Sequence, residues 1–356
     1  MNKRNAIAIA ISSLFAVSGV NAATIYSNDD GDFLKLYGEV GVGGHFGADY
    51  DSGEFYADEN YIDDSFGTIG VKGQDGDLQY RLELDYEREN WKYGSGDMVM
   101  SIDKMFVGYA MNQYNYIEVG LTDTAFDDYD KWGDFTFDTT VETGEAGDQS
   151  KTLKYEGNYA GFKVGASYTY KAESSSGSEL GNVANGYFGY FGDDFSAVLG
   201  AEARSGSDGD SKYGEQKLLG VGARYAINKS LVVGFNGFME HEDIARDQVT
   251  INNTDPENVV KVYSNYTTQK NKGALVSGKY ILSDKWQFVI SANYEEYEKW
   301  DDESADWDGT NYEWGASRTW RTIGVNFKPT KSSVIALEMN QGEASQDAYA
   351  YTRIYF

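Results

Sequence analysis

Along most of this 356-residue chain, apolar and polar side chains alternate with a period of two, and few folds accept such a pattern. Between positions 78 and 87, Leu78, Tyr80, Leu82, Leu84 and Tyr86 fall on one face, while Gln79, Arg81, Glu83, Asp85 and Glu87 fall on the other. A helix would scatter these side chains around its circumference; a strand separates them. Phe162, Val164, Ala166, Tyr168 and Tyr170 oppose Lys163, Gly165, Ser167 and Thr169 in the same way. So do Leu219, Val221, Ala223 and Tyr225 against Gly220, Gly222 and Arg224, and Trp286, Phe288, Ile290 and Ala292 against Gln287, Ser291 and Asn293. Pro occurs only at 256 and 329, as expected of a chain whose backbone N–H groups are mostly needed in ladders.

The runs predict about sixteen strands: 33–47, 64–74, 78–93, 98–111, 115–121, 149–157, 161–171, 183–192, 195–204, 213–227, 230–242, 271–282, 285–299, 311–327, 332–341 and 348–356. In the eighth, Tyr187, Phe188, Tyr190 and Phe191 do not choose a face. The connections fall into two sets. Those at 75–77, 112–115, 192–194, 228–229, 283–284 and 329–331 are short; those at 48–63, 122–148, 172–182, 243–269 and 300–310 are long, polar and acidic. Short turns at one end, long loops at the other and an even strand number predict a closed antiparallel transmembrane β-barrel, with turns in the periplasm and loops outside the cell. Closure leaves no unpaired edge in lipid. A soluble β-sandwich would also alternate, but sixteen amphipathic strands would demand an unusually large core. Tyr37, Tyr168, Tyr170, Trp286, Tyr294, Tyr297, Trp314, Trp320 and Phe327 lie near predicted strand ends, where aromatic rings suit headgroup depth.

Residues 1–22 read as a signal peptide: Lys3 and Arg4, an apolar run from Ala6 to Val17, then Val20-Asn21-Ala22 as the cleavage signature. The run is too short to span a bilayer as a helix, which takes about 20 apolar residues. The barrel then occupies 23–356. The formal charge of −27 becomes more negative once Lys3 and Arg4 are removed. That acidity argues against nucleic acid as a partner, and 15% aromatic residues argue against disorder. With no Cys and only His45 and His241, thiolate and three-histidine zinc sites are excluded. No nucleophile motif accompanies either histidine, so the residues point to a channel rather than an enzyme. No cofactor is expected. Asp208-Gly209-Asp210, and Asp301-Asp302-Glu303 with Asp306 and Asp308, are similar to oxygen-rich calcium sites, and loosely held divalent cations bridging lipopolysaccharide are the expectation there.

The start Ala23-Thr24-Ile25-Tyr26 with Leu34-Lys35-Leu36-Tyr37-Gly38, the stretch from Phe66 to Gly73 and Lys104-Met105-Phe106-Val107-Gly108-Tyr109 together resemble the general, trimeric porins of Gram-negative outer membranes. The terminal Phe356, after alternating hydrophobics, is similar to that family's C-terminal assembly signal, with Ile354 where an aromatic is usual. The resemblance implies a homotrimer of sixteen-stranded channels passing small hydrophilic solutes. It also implies that the third long loop, 122–148, folds into the lumen. The family's Pro-Glu-Phe-Gly-Gly stretch is missing from it; Trp132-Gly133-Asp134-Phe135 is the nearest counterpart. In the family, acidic loop residues face basic wall residues across the constriction. Here the acidic set is Asp123, Asp127, Asp128, Asp130, Asp134 and Asp138. Lys72, Arg81 and Lys104 have the inward parity for the wall, and Thr68 stands where a wall arginine is common. The basic half is the thinner, so a cation preference is expected. Further round, Arg204, Arg224 and Lys279 are expected to pair with carboxylates such as Glu202. A substrate-specific oligosaccharide channel is the alternative, but most aromatics of clear parity point outward.

Overall fold

The computed structural model describes residues 22–47, 61–90, 95–137, 141, 143–174, 177–207, 211–252, 259–297, 316–342 and 346–356. Residues 1–21 of the expected 1–22 leader, Asp138, most of the loop at 48–63 and the loop at 300–310 lie outside the described residues, as do Trp314 and the acidic run at 208–210.

The strands are β1 (Ala23–Ser27), β2 (Phe33–Phe46), β3 (Tyr61–Asp63), β4 (Phe66–Asp75), β5 (Leu78–Asn90), β6 (Ser95–Ala110), β7 (Asn115–Asp123), β8 (Asp148–Tyr159) and β9 (Phe162–Glu173). There follow β10 (Glu179–Phe191), β11 (Phe195–Arg204), β12 (Tyr213–Asn228), β13 (Leu231–Asn252), β14 (Val259–Ile281), β15 (Trp286–Tyr297), β16 (Ala316–Phe327), β17 (Ser333–Gly342) and β18 (Gln346–Tyr355). From β4 to β18 each strand pairs antiparallel with the next in sequence, and β18 returns to β2 through Tyr355↔Glu39 to Ala348↔Phe46, closing the ring. Eighteen segments fill sixteen positions, because two positions are each shared. β3 and β4 lie end to end against β2, through Phe46↔Tyr61 and Gly41↔Phe66. β1 continues the line of β18 along the same strand, with Ala23 opposite Leu36. At that seam Gly38 N–H donates to the Phe356 carbonyl and Phe356 N–H donates back to Gly38, both at 2.9 Å.

Alternation becomes inside and outside. Leu82, Val107, Val119, Leu153, Leu199, Val221, Ile290, Ile323 and Leu337 are exposed on the outer face, while Gln79, Thr152, Thr169, Asn236, Thr322 and Glu338 are buried within. The backbone satisfies itself in the ladders, so its N–H and C=O groups need no desolvation against hydrocarbon. Exposed Tyr80, Tyr109, Tyr225, Tyr280 and Trp286 mark the short-turn rim, and Tyr86, Tyr168 and Tyr170 the opposite one. Two of the expected girdle aromatics instead face the lumen: Tyr37 and Trp320 are buried. Proximity to a strand end did not reveal their parity.

The long connections also differ from expectation. Positions 243–252 and 259–269 are not loop; β13 and β14 continue as one hairpin from Asp243↔Thr268 to Asn252↔Val259. Beyond the bilayer both faces of a ribbon meet water, so it needs no apolar alternation and leaves no period-two signal. β9 and β10 likewise extend into 172–182, up to the pair Glu179↔Glu173.

Candidate functional site

Between β7 and β8 the chain leaves the wall and crosses the barrel interior. Its stem is closed by Thr124 N–H donating to the Gly147 carbonyl at 3.1 Å. Ala125 N–H then donates to Ser167 Oγ on β9 at 3.0 Å, and Phe126 N–H to Asn185 Oδ1 on β10 at 2.6 Å. The Phe126 ring lies against Gly200 and Gly220, where added Cβ atoms would stand 1.9 and 2.5 Å from it. A short 3₁₀ turn, Asp127–Tyr129, aims Tyr129 at Tyr187 and Phe191 of β10, with ring centroids 4.4 and 5.1 Å away. The Trp132 carbonyl and Gly133 press on Gly222 and Gly234, and Gly133 takes φ +112°, a conformation costly for any residue with a Cβ. Ser277 Oγ donates to the Gly133 carbonyl at 2.5 Å. Across the lumen, Phe137 N–H reaches Glu338 Oε1 on β17 at 2.8 Å. The return leg buries Val141 among Phe238, Leu275 and Trp320, and donates from Gly144 N to Glu240 and from Ala146 N to Glu202, each at 3.0 Å.

This seat explains the undecided eighth strand. Tyr187 and Phe191 point in and pack on the loop, while Phe188 and Tyr190 point out. It also gives two wall cations ring partners beyond the expected carboxylates, Asp134 still standing near Arg224. Arg204 does pair with Glu202, at 2.9 Å, but the Arg224 guanidinium stacks 3.7 Å over the Trp132 ring and Lys279 Nζ lies 4.5 Å from that of Phe135. Both cations hold the loop through its aromatic rings.

Opposite the seat, a cavity of about 380 Å³ remains between the start of the loop and the wall made by β2, β4 to β8 and β18. Its lining carries eight carboxylates, Glu39, Glu83, Asp85, Asp103, Glu118, Asp123, Asp128 and Glu156, and four cations, Arg81, Lys104, Lys154 and Arg353. Each cation touches acid. Lys104 pairs with Asp148, with Asp123 at 2.5 Å and with Asp103 at 3.4 Å. Lys154 lies 3.4 Å from Asp128, 3.8 Å from Glu156 and 4.0 Å from Glu118. Arg81 pairs with Glu83 at 2.7 Å and Arg353 with Glu39 at 3.8 Å. A bulge lets β6 contribute two adjacent charges: the register steps from Glu83↔Lys104 to Leu84↔Ile102, so Asp103 and Lys104 both reach the cavity.

The sequence-predicted residues divide accordingly. Asp123, Asp128, Arg81 and Lys104 meet at the cavity; Lys72 does not line it and lies 4.9 Å from the Tyr37 ring. Asp127 flanks Gly147 together with Glu145. Burial, and then the Glu145 charge, raise the Asp127 carboxyl well above its ordinary range. Asp134 caps its own turn, accepting from Thr136 N and Oγ1 at 2.9 and 2.8 Å. Asp130 offers its carbonyl to Asn236 Nδ2 at 2.6 Å. Thr68, at the expected arginine position, donates to Asp85 at 2.6 Å. Lys154, Glu156 and Arg353 were missed, although the same parity that exposes Leu153 turns Lys154 inward.

A closed sixteen-position barrel, apolar outside and charged within, with a loop seated in its lumen, is the architecture of an outer-membrane channel. The chain belongs to the Gram-negative porin family, whose model matches residues 7–339. It is 32% identical over 134 residues to a protein named monosaccharide porin from a Halomonas species, covering 36% of this chain; the match spans only 35% of that relative's length. Among solved structures it is similar to OmpT, an outer membrane protein of Vibrio cholerae, at 15% identity and a TM-score of 0.66, over 94% of this chain and all of the other. OmpT is also known in a trimer form, with a TM-score of 0.63, 15% identity and coverage of 91% of this chain and 99% of that one. OmpF of Salmonella typhi, in complex with daunomycin, gives 17% identity and a TM-score of 0.64 over 94% of this chain and all of that one. The protein is therefore an outer-membrane β-barrel of the porin family.

Proposed function

We propose that the charged cavity is the narrowest part of a water-filled path through which ions and small hydrophilic solutes diffuse passively, with cations preferred. The observation that carries this reading is the excess of carboxylates in its lining, eight against four cations. Walls of low dielectric focus the field of that excess on a passing ion. Asp123 and Asp128 on the loop side, with Arg81, Lys104 and Lys154 on the wall, form a constriction whose local pairs orient dipolar solutes. The homotrimer is supported by the trimer form of OmpT, and a role of Phe356 in assembly by its seat at the seam where the two ends of the barrel meet. Acidic outer loops hold divalent cations loosely and bridge lipopolysaccharide.

The test is the reversal potential of purified protein in a planar bilayer under a salt gradient. Cation preference is expected; clear anion preference overturns the reading. Conductance substeps in threes support the trimer. The name of the Halomonas relative favours a second reading, a sugar-selective channel. Liposome swelling separates the two: simple size dependence fits general diffusion, whereas saturation with one favoured sugar fits selectivity.

A further inference from the structure

Near the short turn at 75–77, three cations stand in one row on the lumen face of β2, β4 and β5. Lys35 is directly opposite Lys72, and Lys72 directly opposite Arg81. Residues paired in this way have Cα atoms about 4.5–5.5 Å apart and point to the same side of the sheet. Arg81 also lines the cavity, whose other β4 and β5 residues lie toward the long loops, so the row borders the cavity on its short-turn side. Only Arg81 is balanced. It donates to Glu83 Oε2 at 2.7 Å and to the Tyr37 hydroxyl at 2.6 Å. Among the described residues the Lys35 and Lys72 ammonium groups make no ion pair and no hydrogen bond; they lie 4.8 Å from the Phe33 ring and 4.9 Å from the Tyr37 ring. Nearby acids are engaged elsewhere: Glu39 with Arg353 at 3.8 Å, and Asp32 with Asn28 Nδ2 and Gly76 N, each at 2.8 Å.

Like charges directly opposite one another destabilise a sheet. The charges that bear on Lys72 are Arg81 and Lys35, both of its own sign, and Glu83, which Arg81 already holds. Lys72 is only 9% exposed, so bulk water does little to relieve this repulsion. A ring face attracts an ammonium but does not cancel its charge, and each ammonium still offers three N–H donors. Two uncompensated positive charges on adjacent strands, with donors to spare, match one small dianion whose oxygens accept from both. A monocarboxylate would neutralise one lysine and leave the other.

We infer that Lys35 and Lys72, with Arg81 beside them, form an anion site in the short-turn half of the lumen that takes a phosphate dianion, free or as the end group of a small solute. The site needs a lumen that admits water at its short-turn end. It needs no cation preference in the cavity, so a reversal potential of either sign leaves it standing. The experiment is equilibrium dialysis of the full-length protein in detergent against radiolabelled inorganic phosphate, at low salt and about pH 8, where phosphate is mainly doubly charged. Saturable binding is expected, displaced by glycerol 3-phosphate and far less well by acetate. At about fivefold per pair of unit charges in water, Lys72→Gln should weaken binding of the dianion about 25-fold. Lys35→Arg with Lys72→Arg should retain it, and Lys331→Gln, on an exposed turn, should leave it unchanged. Tighter binding of glycerol 3-phosphate than of phosphate assigns the site to a phosphorylated solute; equal or weaker binding assigns it to the free anion. Absence of saturable binding, undiminished affinity in Lys72→Gln, or displacement by acetate as readily as by glycerol 3-phosphate overturns the proposal. So does equal loss in the arginine pair or in Lys331→Gln, because the effect then does not come from charge at this row.

Discussion

Replacing Phe126 with alanine should free the inward loop while leaving the barrel standing. The ring is 1% exposed and packs on the bare backbones of Gly200 and Gly220 and among Tyr187, Val198 and Leu218. Its wall is β-ladder, which cannot collapse into the space left behind, so the cost falls in the full range for a buried Phe→Ala change, about 3–5 kcal/mol. The barrel's ladders do not pass through this contact, so the loss falls on the opening equilibrium of the loop, which should rise by at least about 100-fold at about 1.4 kcal/mol per tenfold. Hydrogen exchange in detergent reads this directly. The amides of Ala125 and Phe126, bonded to Ser167 and Asn185, should exchange at least about 100-fold faster, while amides of β11 and β12 keep their protection. Single-channel traces should become noisier as the loop leaves its seat. Adding a methyl from the other side, as Gly200→Ala, should produce the same phenotype through overlap with the ring, at about 1–3 kcal/mol. Wild-type protection at both amides in Phe126→Ala would refute the view that this ring anchors the loop; loss of protection throughout the barrel would refute the view that loop and wall are separable.

Asp128→Asn removes one negative charge from the cavity beside Lys154. A charge about 8 Å from a passing ion is worth about 0.5 kcal/mol at a water-like dielectric, favourable to a cation and unfavourable to an anion, so the cation-to-anion permeability ratio should fall about fivefold, and an unchanged reversal potential contradicts the assignment. Arg224→Leu removes the stack on Trp132 and should loosen the middle of the loop by about 1 kcal/mol, read as faster exchange near Gly133; an unaltered rate argues against the cation–ring contact as a tether. The loop seat should also respond to pH. Asp127 and Glu145 both titrate above their ordinary range, chiefly through burial, with Glu202 adding to the rise at Glu145. A carboxyl whose pKa is raised by folding contributes stability below its unfolded pKa and loses it as pH climbs through the raised one. Loop protection should therefore be strongest in acid and weaken above the ordinary carboxylate range. Asp127→Asn should flatten that dependence, and a pH-independent loop in the wild type would exclude it.

Strand number, closure and lipid-facing side chains were legible in the sequence because they depend on one local property, the two-residue period, repeated until it fixed a cylinder. Arg81 and Lys104 could be assigned to the lumen on the same ground, and Lys154 and Arg353 could have been. What the period could not give is contact between distant segments. The glycines at 200, 220, 222 and 234 carry no side chain and so no pattern, yet their bareness is what admits Phe126, Trp132 and Gly133. Tyr187 and Phe191 blurred the alternation of β10 because an inward aromatic is an anomaly in a wet lumen until a loop covers it. The β13–β14 ribbon was invisible because strands with water on both faces need only pair with each other. Parity is a property of each residue and its neighbours. The path of the inward loop, and the division of its aspartates between cavity, stem and turn, arise from packing between positions far apart in the chain, which only the folded molecule brings together.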